Sequence, residues 1–241
     1  LMQPPAEFIR PGYRGSGKLE GKIALVTGAD SGIGRSAAIH FAREGADVAI
    51  MYLSEDEDAR ETQRLIEAEG RRCLSIAGDI RDAAFCRSAL QQVVDTFGGL
   101  NILVNNAGTQ QVCTDLTELD DDQWEQTFAT NIHGMFYLTK AALPYLGEDD
   151  SIINTASVAA YDGQTGQAAY SASKGGVVGM TLPMARDLMD IGIRVNSVMP
   201  GIFATPLMLG MKDRNPQMWD QLNASVPFPK RLGHPEEFAS L

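Results

Sequence analysis

The chain is predicted to fold as one α/β domain, a doubly wound parallel sheet with helices on both faces. Strand-like runs at 22–27, 47–53, 72–77, 100–104, 150–155 and 192–198 alternate with helix-like stretches, and the first is apolar and rich in β-branched residues. Such alternation is the pattern of parallel strands joined by right-handed crossover helices. The first run passes directly into a glycine-rich turn and then a helix-like stretch, which is a βα unit by itself. A length of 241 residues suits a single domain of this class with a full core.

Residues 1–18 contain Pro4, Pro5, Pro11 and three glycines and are expected to be an irregular extension, lying along the surface or on a neighbouring subunit. Residues 19–241 are expected to form the domain. Leu1 precedes Met2, and no signal peptide is visible at this end of the sequence.

Lys22 to Thr27 reads as a buried parallel strand. Gly28-Ala29-Asp30-Ser31-Gly32-Ile33-Gly34 follows, then a helix from Arg35 to Glu44. Glycines let a ligand approach the backbone, and a helix N-terminus offers free N–H groups to an anion, so this unit is a candidate pyrophosphate site. The spacing is Gly-x-x-x-Gly-x-Gly rather than Gly-x-Gly-x-x-Gly, and a glycine cluster can also be merely a tight turn.

The second strand, Asp47 to Leu53, ends without an Asp or Glu at its tip to hold an adenosine ribose. The run Glu55-Asp56-Glu57-Asp58 comes next, with no Arg or Lys to meet a 2′-phosphate. That favours NAD over NADP, although the run also reads as the solvated start of a helix. Asp79 and Ile80, after the third strand, are candidate adenine contacts; Asp79 is equally readable as a turn or cap acid. The fourth strand ends in Asn105-Asn106-Ala107-Gly108, which reads as a turn or as a ribose-side wall.

After the fifth strand come Ser157 and then Tyr170 and Lys174 in Ala-Tyr-Ser-Ala-Ser-Lys. Residues four apart on a helix share a face. A free phenol titrates near pKa ~10; a close ammonium stabilises the phenolate and lowers that value toward the range useful for proton transfer. The small side chains around the pair would let a ligand come close. By itself, a Tyr and a Lys at this spacing could simply decorate a solvated helix.

These residues together resemble the short-chain dehydrogenases/reductases. Thr27-Gly28-x-x-x-Gly32-Ile33-Gly34, Asp79, Asn105 to Gly108, Asn131, Ser157, Tyr170-x-x-x-Lys174, and Pro200-Gly201 with Thr205 occur in that family's order over nearly the whole chain. The resemblance implies a Rossmann domain with strand order 3-2-1-4-5-6 and an NAD(P)-dependent oxidoreductase of CH–OH groups. It implies that Tyr170 is the acid/base, that Ser157 steadies the substrate oxygen, and that Lys174 tunes Tyr170 and holds the nicotinamide ribose. Asn131 would hold a water linking Lys174 to solvent. Gly28, Ser31, Gly32, Ile33 and Gly34 would take the pyrophosphate, and Asn106, Ala107 and Gly108 would line the adenosine ribose. Pro200, Gly201, Ile202 and Thr205 would meet the nicotinamide. The family's usual seventh strand is expected to be missing here, since the sequence stops within what should be a helix at Pro235 to Leu241; the sixth strand would then be an open edge. A homo-oligomer, dimer or tetramer, is implied.

The resemblance is not uniform. Residues 3–150 look like general-stress and glucose-dehydrogenase-like members, whereas from about 155 onward the text looks like type-2 3-hydroxyacyl-CoA dehydrogenases. A chimera and natural mosaicism both account for that. Gln164 matches a position that orients keto-acyl substrates in the latter group. Between Pro200 and Pro229, Phe203, Leu207, Met208, Leu209, Met211, Met218, Trp219 and Phe228 form an adaptable apolar wall, though such residues also pack on cores. They favour a ketone or secondary alcohol with a hydrophobic arm over a bare sugar; a sugar or aldehyde substrate, or a non-catalytic nucleotide-binding regulator on the same fold, are the alternatives.

The balance of 20 basic against 31 acidic residues, net −11, disfavours nucleic-acid binding. No apolar run is long enough to span a membrane. Cys73, Cys86 and Cys113, without metal spacing, suit a reducing, cytoplasmic setting. His40, His133 and His234 are scattered, so no metal site is expected.

Overall fold

A computed structural model describes residues 7–10 and 12–241, with the side chains of Leu207, Met211 and Asp213 outside the described part. Six strands form one sheet: β1 Ile23–Thr27, β2 Asp47–Tyr52, β3 Cys73–Ala77, β4 Ile102–Asn105, β5 Ser151–Thr155 and β6 Arg194–Val198. Their order is β3-β2-β1-β4-β5-β6, every pairing parallel. Leu25 of β1 sits level with Ala49 of β2 and Leu103 of β4. The order reverses direction between β1 and β4, which opens a crevice at the carboxyl ends of those strands.

Alternation along β1 divides the core. Ala24 and Val26 face a cluster with Ile39 and Ala42 of α1 (Gly32–Arg43) and with Ala59 and Ile66 of α2 (Asp56–Ala68). Leu25 faces the other layer, with Leu90 and Val93 of α3 (Ala83–Phe97) and Leu138 of α5 (Met135–Ala142). Both faces being covered explains why the central strands read as continuous apolar runs.

Helix α4 (Asp121–Phe128) runs into α5 through a wide π-type turn, Ala129–Gly134. Close contact requires Gly134 there, because a Cβ would lie 2.7 Å from Ile80. A short α6 (Ala159–Asp162) precedes the long α7 (Ala168–Asp187). Helices α8 (Pro206–Arg214), α9 (Pro216–Ser225) and α10 (Pro235–Ala239) complete the element order. Among the described residues β6 is an edge, and no seventh strand pairs with it.

The described part of the N-terminal segment lies along α1. Ser36 Oγ donates to the Phe8 carbonyl at 2.6 Å, and the Glu44 carboxylate accepts from Ser16 N at 2.9 Å and from the Tyr13 hydroxyl. Pro4, Pro5 and Pro11 lie outside the described residues.

Candidate active site

The turn after β1 is built on Thr27. Its Oγ1 accepts from the N–H groups of Asn106 and Ala107, both at 2.9 Å, joining the ends of β1 and β4. Asn106 Nδ2 in turn donates to the carbonyls of Thr27 (2.9 Å) and Gly28 (3.2 Å). The Asn106 amide nitrogen is therefore used on β1, while Ala107 and Gly108 face the crevice.

Gly28 and Gly32 take left-handed φ values of +60° and +55°, open to glycine without strain. A Cβ on Gly34 would lie 2.1 Å from the Gly28 carbonyl oxygen, so α1 starts hard against the turn. Ser31 makes no capping bond with its side chain, and the first turn of α1 holds no acid. Two left-handed glycines, a third with no room for a side chain and an uncapped helix start fit a dinucleotide pyrophosphate.

Beside the turn lies a cavity of about 430 Å³, lined by Gly28, Asp30, Tyr52, Asp79, Ile80, Ala107 and Gly108 among others. Its far wall comes from Gln126, Thr127 and Thr130, on α4 and the wide turn; no motif in the sequence marks them. Arg81 pairs with Asp79 at 2.6 Å and reaches across to Gln126, bridging β3 to α4. That pair holds Asp79 below the ordinary carboxylate range.

Ser157, Tyr170 and Lys174 gather beyond Gly108, which borders the cavity on one side and Lys174 on the other. Ser157 Oγ accepts from Ala159 N at 3.1 Å. Lys174 is 3% exposed, and its Nζ donates to the Thr155 carbonyl at 2.6 Å. Burial pulls its pKa down to about 8. The Tyr170 hydroxyl moves the other way from the sequence expectation. Burial raises its pKa, and a hydrogen bond with Ser157 opposes that rise. Lys174 Nζ is turned toward Thr155 and lies 5.8 Å from the centre of the Tyr170 ring.

Asn131, wholly buried in the wide turn, has its amide committed: Oδ1 accepts from Thr109 N (2.8 Å), and Nδ2 donates to Thr109 O (3.0 Å) and Ser173 Oγ (2.9 Å). Gly108 backs onto this group, since a Cβ there would come within 3.3 Å of Asn131 Oδ1 and 3.4 Å of Lys174 Nζ. Gln164 Oε1 accepts from Gln167 Nε2 at 2.8 Å, before the start of α7. Pro200 accepts from Val158 N at 3.1 Å, which sets the Pro200–Gly201–Ile202 segment beside Ser157. Thr205 packs on Gly32, its Cγ2 3.3 Å from where a Cβ would stand. The expected apolar wall is partly elsewhere: Phe203 stacks edge-on against Phe238 of α10, and Phe228 is exposed. The side chains of Leu207 and Met211 lie outside the described residues.

Comparison with known proteins agrees with this geometry. The family model described as short chain dehydrogenase matches residues 22–216. The chain belongs to the short-chain dehydrogenase family. It is accordingly an NAD(P)-dependent oxidoreductase with a Rossmann-type sheet. The oxidoreductase YhdF of Bacillus subtilis is 55% identical over 196 residues, covering 81% of this chain and 68% of that protein. The glucose and ribitol dehydrogenase of Daucus carota is 39% identical over 246 residues, 100% of this chain and 84% of that one. A Burkholderia cenocepacia short chain dehydrogenase, solved in complex with NADP, superposes with a TM-score of 0.84 at 37% identity, covering 92% of this chain and 89% of its own. Among the described residues no helix is long and apolar enough to cross a membrane, and no group of His, Cys, Asp or Glu could hold a metal ion.

Proposed function

We propose that this dehydrogenase interconverts a secondary alcohol and a ketone bearing a hydrophobic arm, a 3-hydroxyacyl compound being the favoured class. The bound nicotinamide supplies the hydride acceptor or donor. The Tyr170 hydroxyl gives a proton to the carbonyl oxygen in reduction and takes it from the alcohol in oxidation. Ser157 Oγ accepts from Ala159 N, and its O–H, which pairs with the Tyr170 hydroxyl in this structure, turns to donate to the same substrate oxygen. One of the three Lys174 donors is held by Thr155; the others serve the nicotinamide ribose and a proton relay. Both amide hydrogens of Asn131 are engaged, so its part in that relay falls to the second lone pair of Oδ1 or to its main-chain carbonyl. Gly28, Ser31, Gly32, Ile33 and Gly34 hold the pyrophosphate, Asp79, Ile80, Ala107 and Gly108 the adenosine, and Pro200, Gly201, Ile202 and Thr205 the nicotinamide. Gln164 orients the substrate.

The observation that carries this reading is the buried Lys174 beside Tyr170 and Ser157, a charge that a merely structural site has no reason to keep. Tyr170→Phe tests it: turnover of ketones and secondary alcohols should fall by at least about 10²-fold while NADH affinity changes less than about threefold. Retained turnover would sink the assignment. A sugar or aldehyde substrate is the second reading, favoured by the name of the carrot relative.

For the cofactor we favour NAD, because the cavity rim carries Asp30 and Glu55 while Arg81 is engaged with Asp79. The NADP-bound Burkholderia relative favours the opposite, and titration with NADH and NADPH decides. Small molecules are the partners proposed; free thiols at Cys73, Cys86 and Cys113 accord with a cytoplasmic setting. We also propose a homo-oligomer, dimer or tetramer.

A further inference from the structure

We propose that Asp30, in the turn between β1 and α1, is the residue that discriminates between the two nicotinamide dinucleotides. Its carboxylate would accept from the adenosine 2′-hydroxyl of NAD and repel the 2′-phosphate of NADP. This rests on the dinucleotide reading above and deepens it, moving selectivity from the acidic run after β2 into the glycine-rich turn.

Asp30 lines the cavity together with Tyr52, Leu53 and Glu55, so it faces the end of β2 across the crevice. Its backbone is pinned from two helices: the carbonyl accepts from Arg35 Nη2 and, at 3.1 Å, from Thr62 Oγ1. Ser31 Oγ donates to its Oδ2 at 2.9 Å, which orients the carboxylate. The nearby cations are engaged. Arg35 is 8% exposed and bound to Thr62 (2.9 Å) and Asp58 (3.3 Å), while Arg81 is paired with Asp79 at 2.6 Å.

Glu55 also borders the cavity, but it is exposed, and its carboxylate accepts from Ser54 N at 3.1 Å; solvent screens it. Asp30 is half-buried, so its charge is felt more strongly. The titratable or charged groups facing Asp30 are Arg35 of α1, Tyr52 of β2, and Glu55 and Asp58 at the start of α2. Burial first, then Glu55 and Asp58, raise its carboxyl above the ordinary value, against a lowering by Ser31. A 2′-phosphate carries more than one negative charge near neutrality, and pressing it on these acids is repulsive, whereas a hydroxyl can donate to them.

The experiment measures Kd for NADPH and for NADH by nicotinamide fluorescence and takes their ratio. In Asp30→Asn the ratio should fall about tenfold or more; in Glu55→Gln it should fall less than about threefold. An unchanged ratio in Asp30→Asn, an equal change in Glu55→Gln, or parallel weakening of both nucleotides overturns the proposal. Should Asp30→Asn misfold, Asp30→Ser serves: the ratio should again fall about tenfold or more, and an unchanged ratio in that variant overturns the proposal too. Tighter binding of NADPH than NADH by the unsubstituted chain would defeat the NAD preference alone, and binding of neither would defeat the dinucleotide reading itself.

Discussion

Lys174 is a cation kept where a cation is costly. It is nearly inaccessible, one carbonyl accepts from it, and its pKa is pulled down to about 8. The unfolded-state value is near ~10.4, so between about pH 8 and 10 the unfolded chain binds more protons than the native one, and stability rises with pH in that window. Below about pH 8 the buried charge is a standing penalty. Lys174→Met should therefore raise the stability of the cofactor-free protein at pH 7 by ~1–2 kcal/mol, flatten the pH dependence above 8, and abolish turnover. Urea denaturation at pH 7 and 9.5 checks it; a variant less stable at pH 7 would show that the Thr155 hydrogen bond outweighs the desolvation. At this scale the sequence told much: Ser157, Tyr170, Lys174 and Asn131 do converge. Two things were hidden. Burial sets the direction of the Tyr170 shift, and the use of Asn106 on β1 depends on a neighbour about eighty positions away.

Helix α1 begins where its packing against the β1 turn allows no side chain, and this is testable at the level of the element. Gly34→Ala places a methyl 2.1 Å from the Gly28 carbonyl oxygen, a backbone atom that cannot swing aside. The start of α1 must then move away from the turn, and the N–H groups aimed at an anion lose their alignment. NADH affinity should fall by at least about tenfold, while Gly99→Ala, whose nearest neighbour is 4.0 Å away, should leave it intact. Equal affinities in the two variants would mean that the pyrophosphate is held elsewhere. The strands were legible to within two residues: the central ones because burial on both faces favours apolar side chains, the edge strands β3 and β6, with Ser75, Arg194 and Asn196, by their place in the alternation. The wide turn at Ala129–Gly134 was not: its composition is ordinary, and only the approach of Ile80 and the reach of Asn131 to Thr109 and Ser173 reveal why the helix widens.

Across the whole molecule, strand order could be expected from the resemblance but not from periodicity, since nothing local states which strand pairs with which. The same holds for association. Three neighbouring outer-layer helices leave large apolar groups exposed: Trp124 of α4 at 37%, Phe136 of α5 at 44% and Leu182 of α7 at 56%. Each copy also carries a net charge of −11, so copies repel at long range while these groups favour burial. An apolar interface between like-charged chains strengthens as salt screens the repulsion; one built on ion pairs weakens. Self-association should therefore tighten between about 0.05 and 0.5 M salt. Leu182→Glu, which would bury a charge in each copy, should shift the protein toward monomer. Sedimentation velocity at micromolar concentration reads both, and a wild-type monomer at every salt concentration would defeat the oligomer. Because α7 also carries Tyr170 and Lys174, loss of turnover in Leu182→Glu alongside dissociation would indicate that the partner braces the catalytic helix. Dissociation with full turnover would indicate that each copy holds its site alone.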